Sequence, residues 1–408
     1  MNWDNIFKLL ETYTQLKHYQ ILFDKYGLAK KGTRRGMLER LNEVLVDTGL
    51  LEPAIDLEEF AEWLSLHQID GNNHTYVYNI ENKPSLEFLQ ELHQEKENYI
   101  DMKLWEIDPD NKSEELYRVM ENLDDIKLIG ISRDEDRGEY IFSFISPCIV
   151  SGIKVNGDSR LYKKIFFCHC VLFDNSDDMK IIFNPTTNTL NVNGMKKGKK
   201  GDWSPIANMF FHKVRTYIGN CRVNPPNWTP EALFRLAEDA TNHNNPEINR
   251  RSLNAQATIE VFASHLLKIA GIDVNTEEAL KNRFIQDVQL SFESQLIEKY
   301  GYNEEEESFS LFRQRSDGIT HTVNVESREE GFRAGSAAQA AKRSRQDGDV
   351  DLLGVILNTE NCNYKFFVEY ASNAYVIRGT NTFVEEEVVN IVIRKINEYR
   401  RQIQIARQ

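Results

Sequence analysis

The sequence predicts an α+β fold. It would comprise an N-terminal helical module, a central antiparallel sheet domain with helices, and C-terminal helices followed by a small sheet and a terminal helix. Three observations predict it. Residues 3–66 place apolar side chains at helical spacing. Residues 126–192 carry successive short apolar runs bounded by turn residues. From 228 onward helical spacing returns, and 350–377 alternates again before a last amphipathic stretch. The expected divisions are 1–50, 51–120, 121–225 and 226–408.

Composition allows such a body. Of 408 residues, 41% are hydrophobic and 27% charged, the balance of a chain that buries a core in two or three domains. No run approaches the roughly 18 apolar residues of a membrane span. Met1-Asn2-Trp3-Asp4-Asn5 lacks the basic and apolar regions of a secretory leader, and neither end carries a lipidation motif. The five cysteines, Cys148, Cys168, Cys170, Cys221 and Cys362, are too few and too scattered for a disulfide scaffold. The expected compartment is therefore the reducing cytoplasm, with no membrane partner.

The net charge of −14 is unevenly spread. Between Lys17 and Leu41 lie seven basic and two acidic residues, so this stretch carries +5 and the remainder −19. A basic footprint on an acidic body repels polyanions everywhere except where the footprint docks.

Within that footprint, Trp3 to Lys17 reads as a helix with Ile6, Leu9, Leu10, Tyr13 and Leu16 on its apolar face. A second helix closes at Gly27, placed where a left-handed C′ glycine is expected. Ala29-Lys30-Lys31 is extended. Gly32-Thr33 restarts a helix through Arg34, Arg35, Gly36 and Met37 to Leu41, with Thr33 as N-cap. Gly27-Leu28, Gly32-Thr33-Arg34, Leu38, Arg40 and Leu41 stand at the spacing of the SAP family, which this tenth of the chain resembles. The resemblance implies duplex DNA binding, often on AT-rich sequence. Gly36 departs from it, since the family more often has a good helix former there, and glycine costs roughly 1 kcal/mol.

The residues support that implication independently. A helix N-terminus bearing Thr33, Arg34 and Arg35 offers unpaired N–H groups, a favourable dipole and two guanidinium groups to a phosphate. Lys30, Lys31 and Arg40 extend the contact along the backbone, which positions the protein without reading sequence. The alternative is a basic hairpin that docks on a protein partner.

Asp56 caps a helix to Leu66, and His74 to Ile80 alternates as a strand. Pro84 opens a polar helix to about Asn98. Strands follow at Ile126–Ile131 and Tyr140–Ile145, the second stopping near Pro147. Ile165–Phe173 is nearly all apolar and so buried on both faces. Met179–Phe183 and Thr189–Val192 pair across Asn184–Asn188, and a helix runs from Pro205 to Ile218. Cys168 and Cys170 face opposite to His169 in a strand, so the three cannot share a metal.

Lys196, Lys197, Lys199 and Lys200 form a second basic cluster between Gly194 and Gly201. It fails the phosphate-loop spacing and has no Ser or Thr after Lys199. As an exposed loop it is expected to track a nucleic-acid backbone, or else to be a solvated hairpin tip with Trp203 in the core.

Further on, helices are expected at Trp228–Glu238 and Arg251–Ala270, the latter burying Leu253, Ala257, Val261 and Leu266. Asn275 with Glu278 would cap a third, to Tyr300, burying Leu280, Phe284, Val288, Phe292 and Leu296 in a core or a dimer seam. Glu304–Glu307 is an acidic loop that could hold Lys30, Arg34 and Arg35 when DNA is absent. Residues 327–349 read as a linker or surface helix, with Arg333, Lys342, Arg343 and Arg345 as a third DNA contact. Val350–Leu357, Lys365–Tyr370 and Ala374–Ile377 are strands, and Asn381-Thr382 starts the terminal helix.

Among enzyme classes a metal-dependent nuclease is the one to weigh. Asp349, Asp351, Glu369 and Lys365 come nearest to its carboxylates and lysine. Glu369 is followed by Tyr370-Ala371, however, so the strand Glu-x-Lys pair is missing and magnesium would be held poorly. Only under that alternative is a cofactor, magnesium, expected. The leading expectation is a non-catalytic binder of double-stranded DNA whose body binds a protein partner or forms a homo-oligomer. Low Gly and Pro beside abundant Asn, Lys, Glu and Ile suggests an AT-rich bacterial or mobile-element genome, with genome defence including phage defence, replication and transcriptional control all open.

Overall fold

The computed structural model describes residues 1–46, 48, 52–109, 122–153, 159–273, 275–301, 308–318, 322–327, 332, 335–359, 362–381 and 383–407. In chain order the helices are α1 (Trp3–Tyr13), α2 (Leu16–Lys25), α3 (Arg34–Leu45), α4 (Leu57–Leu66), α5 (Leu86–Gln94), α6 (Ser204–Ile218), α7 (Thr229–Ala240), α8 (Pro246–Ile269), α9 (Glu278–Tyr300), α10 (Gly335–Asp347) and α11 (Glu386–Ala406). The strands are β1 (His74–Glu81), β2 (Lys127–Asp134), β3 (Glu139–Ile153), β4 (Ser159–Phe173), β5 (Asp178–Phe183), β6 (Thr189–Val192), β7 (Met195–Lys196), β8 (Arg222–Asn224), β9 (Ser308–Gly318), β10 (Thr322–Glu326), β11 (Gly348–Asn358), β12 (Asn363–Ala371) and β13 (Ala374–Gly379). The class is α+β. No helix among the described residues is long and apolar enough to cross a membrane.

The chain forms two compact units. One is Met1–Pro226 with Ser372–Val389, the other Asn227–Ala371 with Asn390–Gln408. In the first, strands run β13-β1-β5-β4-β3-β6-β7, with β2 also on β3 and β8 also on β1. The described ladders are antiparallel. From Ile165 to Leu172, β4 is buried on both faces, as its unbroken apolar run predicts. The helices of residues 1–50 share a core with this sheet: Ile6, Leu10, Tyr19, Phe23 and Leu41 pack in one cluster with Phe60, Ile129, Ile145 and Phe167.

Several expectations are corrected. The helix expected from Trp3 to Lys17 breaks at Thr14, which is buried and extended, and α2 restarts from Gln15 with His18 Nδ1 accepting its N–H. The Tyr13 carbonyl at the break is taken by the Gln68 side chain at 2.9 Å. Pro147 does not end its strand. It pairs with Ile165 of β4, while its other edge lies between the first residue of β2, opposite Ile145, and the last residue of β6, opposite Cys148. No ladder bond there needs the missing N–H. β5 and β6 do not form a hairpin: every residue of β5 is buried between β1 and β4, and β6 joins β3.

In the second unit the strand order is β10-β9-β11-β12, and α7 packs on β9, β11 and β12. α8 and α9 form an antiparallel hairpin, joined where Ser252 donates to Glu293 and where Asn245 donates to the carbonyls of Tyr300 and Gly301. The apolar row expected to be buried on α8 is not. Leu253, Ala257, Val261 and Leu266 are exposed, and the inward face is Ile248, Ser252, Ile259, Ala263 and Leu267. On α9, Leu280 is exposed and Phe284, Val288, Phe292 and Leu296 are half-buried; Ser294 and Ile297 are the buried residues. Asn275 does not cap α9. The turn before it is closed by Asp273, which accepts from the Asn275 N–H at 3.0 Å. Glu304–Glu307 and Arg333 lie outside the described residues. Two further residues of the expected third DNA contact are engaged, and Lys342 is half-buried on α10. Arg345 is a buried side chain of α10 bonded to Glu238, Gln314 and Thr241, and Arg343 pairs with Asp287 at 3.1 Å.

Candidate nucleic-acid interface

The start of α3 is built by its neighbours. Gly27 adopts φ +63°, which reverses the chain after α2 and lets Leu28 N–H close on the Phe23 carbonyl at 2.8 Å. The extended piece that follows is pinned where Lys31 N–H meets Met37 Sδ at 3.0 Å. Thr33 is extended, and its hydroxyl caps the Gly36 N–H at 3.1 Å. Met37, Leu41, Val44 and Leu45 turn inward. Arg34 and Arg35 are thereby fixed outward, and Gly32 is exposed with open space where a side chain would stand.

The first N–H groups of a helix have no ladder partner. Here Thr33 takes those of Gly36, through its hydroxyl, and Met37, through its carbonyl, which leaves Arg34 and Arg35 to present theirs at the positive end of the dipole. The surrounding cations are loosely held. Lys30 pairs with Asp24 at 2.5 Å, Arg35 with Glu39 at 3.0 Å and Arg40 with Glu43 at 2.7 Å. Exposed pairs of this kind contribute about 0.3–0.5 kcal/mol, so a phosphate can displace the carboxylate. Lys31 and Arg34 are exposed and make no ion pair among the described residues. All seven predicted residues, Lys30, Lys31, Gly32, Thr33, Arg34, Arg35 and Arg40, thus lie on one loop and the first two turns of one helix.

The second cluster stands on other elements of the same unit. Lys196 is exposed on β7 and Lys199 is exposed in a tight turn. Lys197 donates to the Thr187 carbonyl at 3.1 Å and lies 5.6 Å over the ring of Trp203, which is buried. The Lys200 side chain lies outside the described residues.

In the second unit the nuclease candidates separate. Asp351 and Glu369 come together across β11 and β12, Asp351 at a bulge in the β9 pairing. Between them sits Arg315 of β9, 2.8 Å from Asp351 and 3.1 Å from Glu369. A guanidinium therefore holds both carboxylates where a divalent cation would have to sit. Asp349 instead pairs in register with Asp317, and Lys365 Nζ lies 5.6 Å over the Phe312 ring. No group of three or more His, Cys, Asp or Glu able to hold a metal occurs among the described residues. Sequence reasoning missed Arg315, because nothing in its strand marks a partner 36 residues away.

It also missed a buried ionic cluster in the first unit. Lys180 of β5, fully buried, pairs with Glu139 at 3.1 Å and with Glu386. Arg137 binds the other oxygen of Glu386 at 2.9 Å and Glu387 at 3.0 Å. Burial pulls the Lys180 ammonium down to about 8 despite the Glu139 carboxylate. Asp70 is pushed up to about 7 by burial and then by Glu385, and its Oδ1 accepts the Glu386 N–H at 2.7 Å. That bond caps α11 four residues beyond the start expected at Asn381-Thr382; Thr382 itself lies outside the described residues. The only cue was a lysine inside an apolar strand.

No family model, no curated protein and no solved structure matches this chain.

Proposed function

We propose that this chain binds double-stranded DNA without cutting it, holding the phosphate backbone at the start of α3. The observation that carries the reading is the cluster of Lys30, Lys31, Arg34 and Arg35 around unpaired N–H groups, exposed on a chain whose remainder is acidic. Lys196 and Lys199 would add backbone contacts. The contacts are to phosphate, so they position the protein and do not select sequence. Arg315 between Asp351 and Glu369 favours binding over magnesium-dependent cleavage. The rest of the body would carry the protein partner or second copy, in genome defence, replication or transcriptional control.

Fluorescence anisotropy on labelled duplex DNA tests this. Titrating salt should give a log–log slope of several units, each contacted phosphate contributing about 0.9. Arg34→Glu with Arg35→Glu should lower affinity on the order of 10–100-fold and flatten the slope by about 2. Magnesium should leave the DNA uncut and weaken binding only as a competing cation does. Binding unaffected by the double change would refute the α3 site. Failure to bind even at low salt would make this surface a dock for a protein.

A further inference from the structure

The cations at the start of α3 are bounded by carboxylates on two sides. Arg35, Glu39 and Glu43 stand at steps of four residues, so they share one stripe of α3, turned away from the inward Met37, Leu41, Val44 and Leu45. Past the first turn that stripe carries Glu39, Asn42, Glu43 and Val46 and no cation. Arg40 stands beside it, half-buried and tied to Glu43 at 2.7 Å. The second boundary is α4. Residues 52–66 hold five acidic side chains, all exposed, and no basic one. Tyr26, one residue before Gly27, brings that helix against the footprint. Its hydroxyl donates to Glu59 at 2.6 Å, and burial, with Glu59, Asp56 and Glu62 around it, pushes the phenol up to about 12. Within the footprint, from residue 24 to 35, the one carboxylate is Asp24, held by Lys30.

We infer that α3 meets duplex DNA end-on: its first turn and the loop before it take one phosphate backbone, and the carboxylates of α3 and α4 keep the rest of the helix out of the groove. The inference rests on the DNA-binding reading above and adds its docking mode. A helix that reads bases lies in the major groove, with its outward stripe between two phosphate backbones. On α3 that placement would carry Glu39 and Glu43 between the backbones, while Arg35 and Arg40, their present partners, were drawn to phosphate. Tilting the footprint toward α4 instead sets Glu58 and Glu62 against phosphate. An approach along the axis of α3 avoids both, and ends on the N–H groups of Arg34 and Arg35. Like charges beside a binding surface select an orientation by repulsion, as cations do by attraction.

Chemical footprinting and affinity measurements on the full chain and a labelled duplex test this. Hydroxyl-radical cleavage should be suppressed over a short run of one strand, while guanine N7 in the major groove keeps the dimethyl sulfate reactivity of free DNA. Glu39→Gln with Glu43→Gln should tighten binding about tenfold, and Glu58→Gln with Glu62→Gln about threefold or more. The same loss of two charges at Glu87 and Glu91 of α5 is the control. That helix packs on Tyr140, on the other face of β3 from Ile145 and the helical layer, so affinity there should change less than about twofold. Guanine N7 protected by the wild type, or α3 and α4 variants that bind no more tightly than the α5 variant, would overturn the end-on mode and leave DNA binding standing. A wild type that binds no duplex removes the binding reading itself, and this one with it.

Discussion

Lys180 has no water to hold its charge, and its ammonium depends on Glu139 and Glu386. Removing one member of such a set leaves a buried charge unpaired, which costs about 3–5 kcal/mol. Lys180→Ala should therefore lower the denaturant midpoint far more than an exposed change such as Lys17→Ala. A Lys180→Ala protein as stable as wild type would show that the cluster contributes nothing net. Two buried histidines each contribute a pH dependence of one sign, which Asp70, pushed up to about 7, opposes over the same range. Burial lowers both His67 and His169 to about 3, His67 donating from Nδ1 to the Leu64 carbonyl at 2.7 Å and His169 lying against Ser143 at 3.1 Å. In the unfolded chain each takes up a proton below about pH 6.5, whereas in the folded chain it resists until about pH 3. Stability from each is complete above the unfolded value and falls as pH drops below it, by about 1 kcal/mol per unit per histidine. Denaturant melts between pH 7 and 5 should shift accordingly, and His67→Gln should flatten the trend; an unchanged slope in that variant would rule His67 out as a cause.

At the scale of elements, α3 shows why a helix can keep a poor helix former. An added Cβ at Gly36 would stand 3.1 Å from Thr33 Oγ1 and 3.1 Å from Lys31 Cβ, so it presses on the cap it follows. Gly36→Ala should accordingly fail to gain the roughly 1 kcal/mol that propensity alone promises, and Thr33→Ala should lose about 1 kcal/mol with the cap. Thermal melts of the two variants decide it, and a full propensity gain from Gly36→Ala would dismiss the steric account. The elements read well where one local rule governs them. Thr33, Gly27 and Asp56 act where their chemistry put them, because caps and left-handed turns are set within four residues. Pro147 was misread because its tolerance depends on which partner lies across the edge, a fact held by β2 and β6. The α8 row was misread because spacing identifies a stripe without saying whether a neighbour covers it, and Ile259, Ala263 and Leu267 form a competing stripe on the same helix.

At the scale of the molecule, the α+β class was legible from periodicity, and the exposed cations of α3 from charge spacing alone. The division into units was less so, because both units are discontinuous: the first leaves at Pro226 and returns at Ser372, and the second breaks at Ala371 and resumes at Asn390. No composition shift announces that residues 372–389 belong with the start of the chain. Long-range partners such as Arg315 with Asp351 and Lys180 with Glu386 were hidden for the same reason, since pairing across tens or hundreds of residues leaves no local pattern. That discontinuity also has a consequence in time. Glu386 is made 206 residues after Lys180. At a ribosomal rate of roughly 5–20 residues per second, the nascent chain waits on the order of 10–40 seconds for it. Throughout that interval β13 is also missing, so His74 to Val77 of β1 lack one of their two ladders and present an open edge. Until β13 and α11 are made, that edge stays open to pairing with another chain.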